Sequence, residues 1–329
     1  MGAVAARRTT TTRATRRARR RGGPLAAGLA LLLPIGLAGC SAAGTGTADD
    51  GPVVVVSTNI LGDVVEEIVG SQAEVVTLMK PDADPHSFEI SAQEAEMLGN
   101  AELVVSNGLG LEEGLQQHLD QAGAAGVPVL AAGDHVETLV YGVEAGDSEG
   151  QPDPHFWTDP ARMDDAVVAI ADALAAVPGV DAARLEEDTA AYRAQLADLD
   201  EEMTAAFGRI DEDRKALVTN HHVFAYLAER YGFRVLGAVL PSGTTLAAPS
   251  ASDLAGLAAT IREAGVPTIF ADSSQPDRLV QVLAEEAGID VQVVSLFTES
   301  LSETQPGAAS YLEMMHTNTE RISAGLGAD

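Results

Sequence analysis

The chain has 329 residues, with 49 acidic against 20 basic side chains and a formal net charge of −29. Such a surface repels nucleic acid and anionic lipid, so neither is expected as a partner, although acidity by itself is no argument for metal binding. A single cysteine excludes an internal disulfide framework.

The first segment separates from the part that folds. Eight arginines and no acids precede the apolar run Pro24 to Leu37, which is the layout of a secretory leader. The run is interrupted by Gly28, Pro34 and Gly36 and is shorter than the roughly 20 residues that a bilayer-spanning helix needs. It ends in Leu37-Ala38-Gly39-Cys40, which resembles the bacterial lipobox. Residues 1–39 are therefore expected to be removed and Cys40 to carry a lipid that holds the exported chain at the outer face of the cytoplasmic membrane. Twin arginines leave both Sec and Tat export open. Residues 40–50 read as the anchor and a small, polar tether.

The body begins with apolar β-rich runs at Val53 to Ser57, Val75 to Met79, Leu103 to Ser106 and Val127 to Leu130. Between them, helical periodicity spans about Ile60 to Val69, Ser91 to Leu98 and Leu111 to Ala122. Such a β-α repeat with short connections predicts a mostly parallel, helix-covered sheet over residues 51–158. From Asp159 to Ile210 no strand-like run occurs, and Pro178-Gly179 divides the stretch into two helices. The second, from about Asp181 to Ile210, would be roughly 45 Å long at 1.5 Å per residue. Its heptad-like apolar positions suit either a coiled-coil dimer or a rigid strut between two lobes, and one long helix between two β-α halves favours the strut and a monomer.

Residues 211–329 resume the alternation, with strands at Ala216 to Thr219, Val235 to Leu240, Thr268 to Ala271 and Val291 to Leu296. One helix starts at Ser250 with Asp253 three residues on, close to a capping box, and stops before Gly265-Val266-Pro267. The expected fold class is α/β: two α/β lobes with mostly parallel sheets joined by a long rigid helix.

Three of the seven histidines sit where a backbone aims them at one point. His86 and His155 each follow Asp-Pro, in DADPHSFE and PDPHFWTDP, and proline stiffens the turn that presents them. His221 directly follows the strand-like KALVTN. All three positions are compatible with the carboxyl edge of a sheet, where ligands of open α/β folds gather. Three imidazoles and one acid satisfy tetrahedral zinc without any cysteine. The intervals between them are long, so only the fold can assemble such a site.

The segments DPHSFE, DPHFWTDP, TNHHVFAYLAERYG and FTESLS…YLEMMHTNTERI together resemble the zinc- and manganese-specific solute-binding proteins of ABC transporters, the TroA-like and ZnuA-like group. The resemblance runs from about Val53 to Ile322. It implies two α/β lobes joined by one long helix, a metal in the interlobe cleft, and His86, His155, His221 and Glu299 as its ligands. Glu299 departs from the aspartate more usual in the group. Asp272 is the alternative fourth ligand, with the capping of a helix from about Gln275 as its ordinary role. His222 is assigned to the surroundings of the site or to solvent, because adjacent side chains do not face one point from regular backbone. Glu89 is a candidate acceptor for a ligand imidazole. Trp157 and Phe156 are expected to pack around the cleft. His118, His135 and His316 are expected at the surface. Val136 to Asp153 is short, acidic and free of histidine, unlike the long histidine-rich loop of many zinc members.

These readings imply a receptor, with no enzymatic activity, that captures Zn2+ and hands it to an ABC permease with its cytoplasmic ATPase. Mn2+ and Fe2+ are the alternative cargoes. A zinc hydrolase would need an open coordination position and a general base, and neither an HExxH run nor a nucleophile motif is present. An adhesin with incidental metal binding is the other rival.

Overall fold

The computed structural model describes residues 51–288 and 291–327. The leader, Cys40 and the tether lie outside the described residues. The first strand, β1 (Val53–Val56), is four consecutive valines. It pairs in parallel with β2 (Glu74–Thr77) and β3 (Leu103–Ser106), and β3 pairs with β4 (Val129–Ala131), giving the order β2-β1-β3-β4. Val54 and Val56 face one apolar core and Val55 faces another. A parallel strand covered by helices on both sides therefore reads as an unbroken apolar run.

The helices of this lobe are α1 (Asn59–Val69), α2 (Ala92–Asn100) and α3 (Gln116–Ala125). Ser91 and Glu94 close a capping box at the start of α2. The third helix begins later than the periodicity predicts. Gly108, Leu109 and Gly110 all have positive φ, which forbids a helix there. The buried Glu112 carboxylate then accepts from Ser57 Oγ at 2.6 Å, Asn107 N at 2.6 Å and Gly108 N at 3.1 Å. A turn organised around that carboxylate replaces the expected first helical turn.

Two helices follow, α4 (Pro160–Leu174) and α5 (Ala182–Phe207). Asp159 caps α4, with Pro160 at its first position, and Asp181 caps α5. The 26 residues of α5 span about 39 Å. Its apolar stripe, Leu185, Tyr192, Leu196, Leu199, Met203 and Phe207, is buried within the chain. It packs against α4, α1 and α9 (Tyr311–Gly325). The heptad-like positions are thus consumed by intramolecular packing.

The second lobe holds β5 (Ala216–Thr219), α6 (Ala225–Tyr231), β6 (Arg234–Ala238), α7 (Ala251–Ala264), β7 (Thr268–Asp272), α8 (Arg278–Ala287) and β8 (Gln292–Leu296). The capping box at Ser250 and Asp253 is present. The strands form two parallel pairs, β5-β6 and β7-β8. β5 and β7 lie side by side, and Asp272 N donates to the Asn220 side chain at 3.0 Å. One apolar core includes Val54 and Val105 of the first sheet, Leu196 of α5, and Leu217 and Phe270 of the second lobe. The two lobes and the strut therefore share buried surface. None of the described helices is long and apolar enough to cross a membrane.

Candidate metal centre

The two Asp-Pro-His segments fold alike. In each, the aspartate side chain accepts the backbone N–H of the histidine two residues on: Asp84 Oδ1 from His86 N and Asp153 Oδ1 from His155 N, both at 2.9 Å. This is an Asx turn, in which a short carboxylate stands in for a backbone carbonyl. Proline cannot donate a hydrogen bond at the intervening position, and its fixed φ holds the turn. The motif thus presents each imidazole rigidly from the carboxyl side of the first lobe.

The second lobe supplies the other two groups. His221 follows β5, its carbonyl accepting from Thr219 Oγ1 at 2.7 Å. Glu299 follows β8 in a segment fixed on both sides. Asn318 brackets Phe297 with two hydrogen bonds, Phe297 N to Oδ1 at 3.0 Å and Nδ2 to the Phe297 carbonyl at 2.6 Å. Trp157 Nε1 donates to the Thr298 carbonyl at 2.8 Å. Beyond Glu299, Asn59 of α1 donates to Ser300 Oγ at 2.8 Å and accepts from Leu301 N at 2.9 Å.

The four side chains converge, with one donor atom from each within 4.8 Å of the others. His155 Nε2 lies 3.4 Å from His86 Nε2 and 3.4 Å from His221 Nε2. Glu299 Oε1 lies 3.4 Å from His86 Nε2, 3.0 Å from His155 Nε2 and 3.1 Å from His221 Nε2. A tetrahedron with donors about 2.05 Å from its centre has edges of about 3.3 Å, so these spacings suit a zinc-sized ion. All four residues are at most 2% exposed.

The electrostatics fit a cation. Burial opposes charge on His155, but hydrogen bonds to Asp153 and Glu299 overcome it and push the imidazole up to about 9. Burial opposes charge on Glu299 as well, yet the His221 and His86 imidazoles, with hydrogen bonds from His155 and His221, hold its carboxyl well below the usual range. Glu299 Oε2, His86 Nδ1 and His221 Nδ1 are buried without a hydrogen-bond partner among the described residues.

The structure places the remaining candidates outside this set. Asp272 is buried beside the site but is not among the converging donors. Its carboxylate accepts from Ser274 N, Ser274 Oγ and Thr298 Oγ1, and burial together with the Glu299 charge pushes its pKa up. The helix it was expected to cap starts later, at Arg278, behind Asp277. Asp272 instead ties the β7 turn to the Glu299 segment. Glu89 is exposed, and the carboxylate that meets a ligand imidazole is Asp153, 2.8 Å from His155 Nδ1. His222 is buried, its backbone N–H donating to the Ser242 carbonyl at 3.3 Å. Trp157 packs edge-on against His155 with ring centroids 5.2 Å apart. His316 pairs with Glu202 at 3.0 Å on the surface. Sequence reasoning missed Tyr141, whose hydroxyl lies 3.0 Å from His155 Nδ1. No local pattern marks it.

Over residues 54–325 the chain matches the family model described as ZnuA, zinc-uptake complex component A, periplasmic. The zinc-binding protein TroA of Treponema pallidum (strain Nichols) is 29% identical over 283 residues, which cover 85% of this chain and 90% of TroA. The manganese ABC transporter substrate-binding lipoprotein PsaA of Streptococcus pneumoniae is 28% identical over 313 residues, covering 92% of this chain and 98% of PsaA. The solved structure of the periplasmic zinc binding protein TroA from Treponema pallidum aligns with a TM-score of 0.78 at 29% identity, over 84% of this chain and 99% of that one. With most of its length matched and four donors buried between its lobes, the chain belongs to the ZnuA family, the metal-binding solute-binding proteins of ABC transporters, which bind and transfer rather than catalyse.

Proposed function

We propose that this protein captures zinc outside the cytoplasmic membrane on His86, His155, His221 and Glu299 and delivers it to a permease driven by a cytoplasmic ATPase. The observation that carries the reading is the donor set: three buried imidazoles and one carboxylate at tetrahedral spacings. Nitrogen-rich sets suit zinc, whereas manganese takes more oxygen. The relatives' own names include both zinc and manganese, and the nitrogen-rich donor set supports the zinc reading. Manganese or iron is the second reading, favoured by the unpartnered Glu299 Oε2, which offers a further oxygen to an ion of higher coordination number.

In this reading residues 1–39 are the leader, Cys40 bears the lipid, 51–158 and 211–329 are the lobes and 159–210 the linking helices. The lipoprotein name of PsaA supports the anchor. A core shared by both lobes supports release by local movement of loops and ligands instead of a wide hinge. Solution scattering that found the whole molecule opening on metal removal would overturn that mode. The function is tested by competition titration of the mature protein with zinc, manganese and iron, repeated on His86→Ala, His221→Ala and Glu299→Ala. Zinc is expected to bind tightest and each variant to lose it. Unchanged zinc affinity in the histidine variants would refute the site, and tighter manganese binding would refute the cargo.

A further inference from the structure

The segment between β4 and α4 crosses the cleft as a small hairpin. Val140 and Pro152 form an antiparallel bridge, Tyr141 N donates to the Gln151 carbonyl at 3.0 Å, and Gly150 N donates to the Tyr141 carbonyl at 2.9 Å. The hairpin is seated on the second-lobe loop Pro241 to Gly243. Ser148 Oγ lies 3.2 Å from Ser242 Oγ and accepts from Gly243 N at 3.1 Å. The approach is close enough to demand glycine twice. A Cβ on Gly146 would lie 2.8 Å from the Pro241 carbonyl, and one on Gly243 would lie 2.3 Å from the Tyr141 ring.

Tyr141 therefore touches both lobes at the metal centre. Its hydroxyl lies 3.0 Å from His155 Nδ1 and donates to the Gly243 carbonyl at 3.3 Å. Because Asp153 Oδ1 sits 2.8 Å from the same Nδ1, that nitrogen carries the proton. The phenol oxygen is then placed to accept a hydrogen bond from it while donating its own hydroxyl hydrogen to the Gly243 carbonyl. This arrangement fixes the ring so that Nε2 faces Glu299 and the other imidazoles.

We propose that Tyr141 is a positioning residue that slows metal escape, because its hydroxyl locks the orientation of His155 only while the hairpin is seated on the second lobe. The inference rests on the metal-site reading. It identifies the hairpin 140–152 as the element whose lifting frees a ligand, and Gly243 as the seat that makes room for it.

The test uses the mature protein loaded with zinc and mixed with excess chelator, following release by stopped flow, with association measured separately. Tyr141→Phe keeps the ring and removes the hydroxyl. It is expected to speed release about tenfold, the low end of the loss when an outer partner of a ligand histidine is removed, and to leave association within twofold. Gly243→Ala, which displaces the ring, is expected to do at least as much. The double variant should release no faster than Gly243→Ala alone, because both act through one contact. Release from Tyr141→Phe within twofold of the parent, multiplying effects in the double variant, or a loss carried by association would each overturn the proposal. A parent protein that takes up no zinc would overturn the metal-site reading itself.

Discussion

Shortening Glu299 to aspartate asks whether this chain needs the extra methylene where a family resemblance leads one to expect aspartate. Glu299 Oε1 lies 3.0 to 3.4 Å from the three imidazole Nε2 atoms. Glu299→Asp withdraws the carboxylate by about one C–C bond, roughly 1.5 Å. The backbone is held against following it, because Trp157 binds the Thr298 carbonyl and Asn59 binds Leu301 N. At an effective dielectric near 20, moving a unit charge from about 3 to about 4.5 Å from an opposite one costs about 2 kcal/mol. That is about 20-fold in Kd, and a divalent ion doubles the free energy to reach several hundredfold. Competition with a fluorescent zinc chelator at pH 7 measures it. A variant binding zinc within threefold of the parent would refute the argument that the Glu299 segment is fixed at a distance only glutamate spans.

Zinc binding should also expel a proton. With His155 pushed up to about 9, the metal-free site carries it at neutral pH, so apparent affinity should rise with pH and level off above about 9. Calorimetry in buffers of different ionisation heats should find at least about one proton released per zinc at pH 7, and no buffer dependence would refute this. Asp63, which accepts Tyr311 N at 2.8 Å, is pushed up to about 6 chiefly by burial. The folded state therefore holds that proton where the unfolded chain has lost it, and stability falls as pH rises from about 4 to 6. Asp63→Asn keeps an acceptor for Tyr311 and should gain about 1–2 kcal/mol at pH 7 by urea denaturation, so a loss of stability would count against it. Leu199→Ala, in the buried stripe of α5, should cost about 2–5 kcal/mol in the same assay, and a cost under about 1 kcal/mol would show that the stripe is not sealed.

The features legible in the sequence are those whose cause is local. Val53 to Val56 reads as a buried parallel strand because both its faces are apolar, and Ser250 with Asp253 marks a helix start because the cap is made within three residues. The Asp-Pro-His pairs stood out for the same reason, although the aspartates' own part in the turns emerged only from the fold. What stayed hidden depends on groups far apart in the chain. Glu89 reads as an acceptor for a ligand imidazole, yet it is exposed, while Asp153 turns back onto His155. Tyr141 meets Gly243 across 102 positions, and no periodicity carries that information. The late start of α3 depends on Glu112 reaching Ser57, 55 positions away.

The strut and the shared core bear on how this molecule comes apart. With α5 packed against α1, α4 and α9 and one core shared by both lobes, neither lobe owns a complete interior, so a chain cut between them would yield two fragments that each lack a wall. Melting should then be a single event, and an ion bound by four side chains in the cleft should shift all of it at once. Occupancy of a pocket a few ångströms across is in this way written into the persistence of the entire folded body.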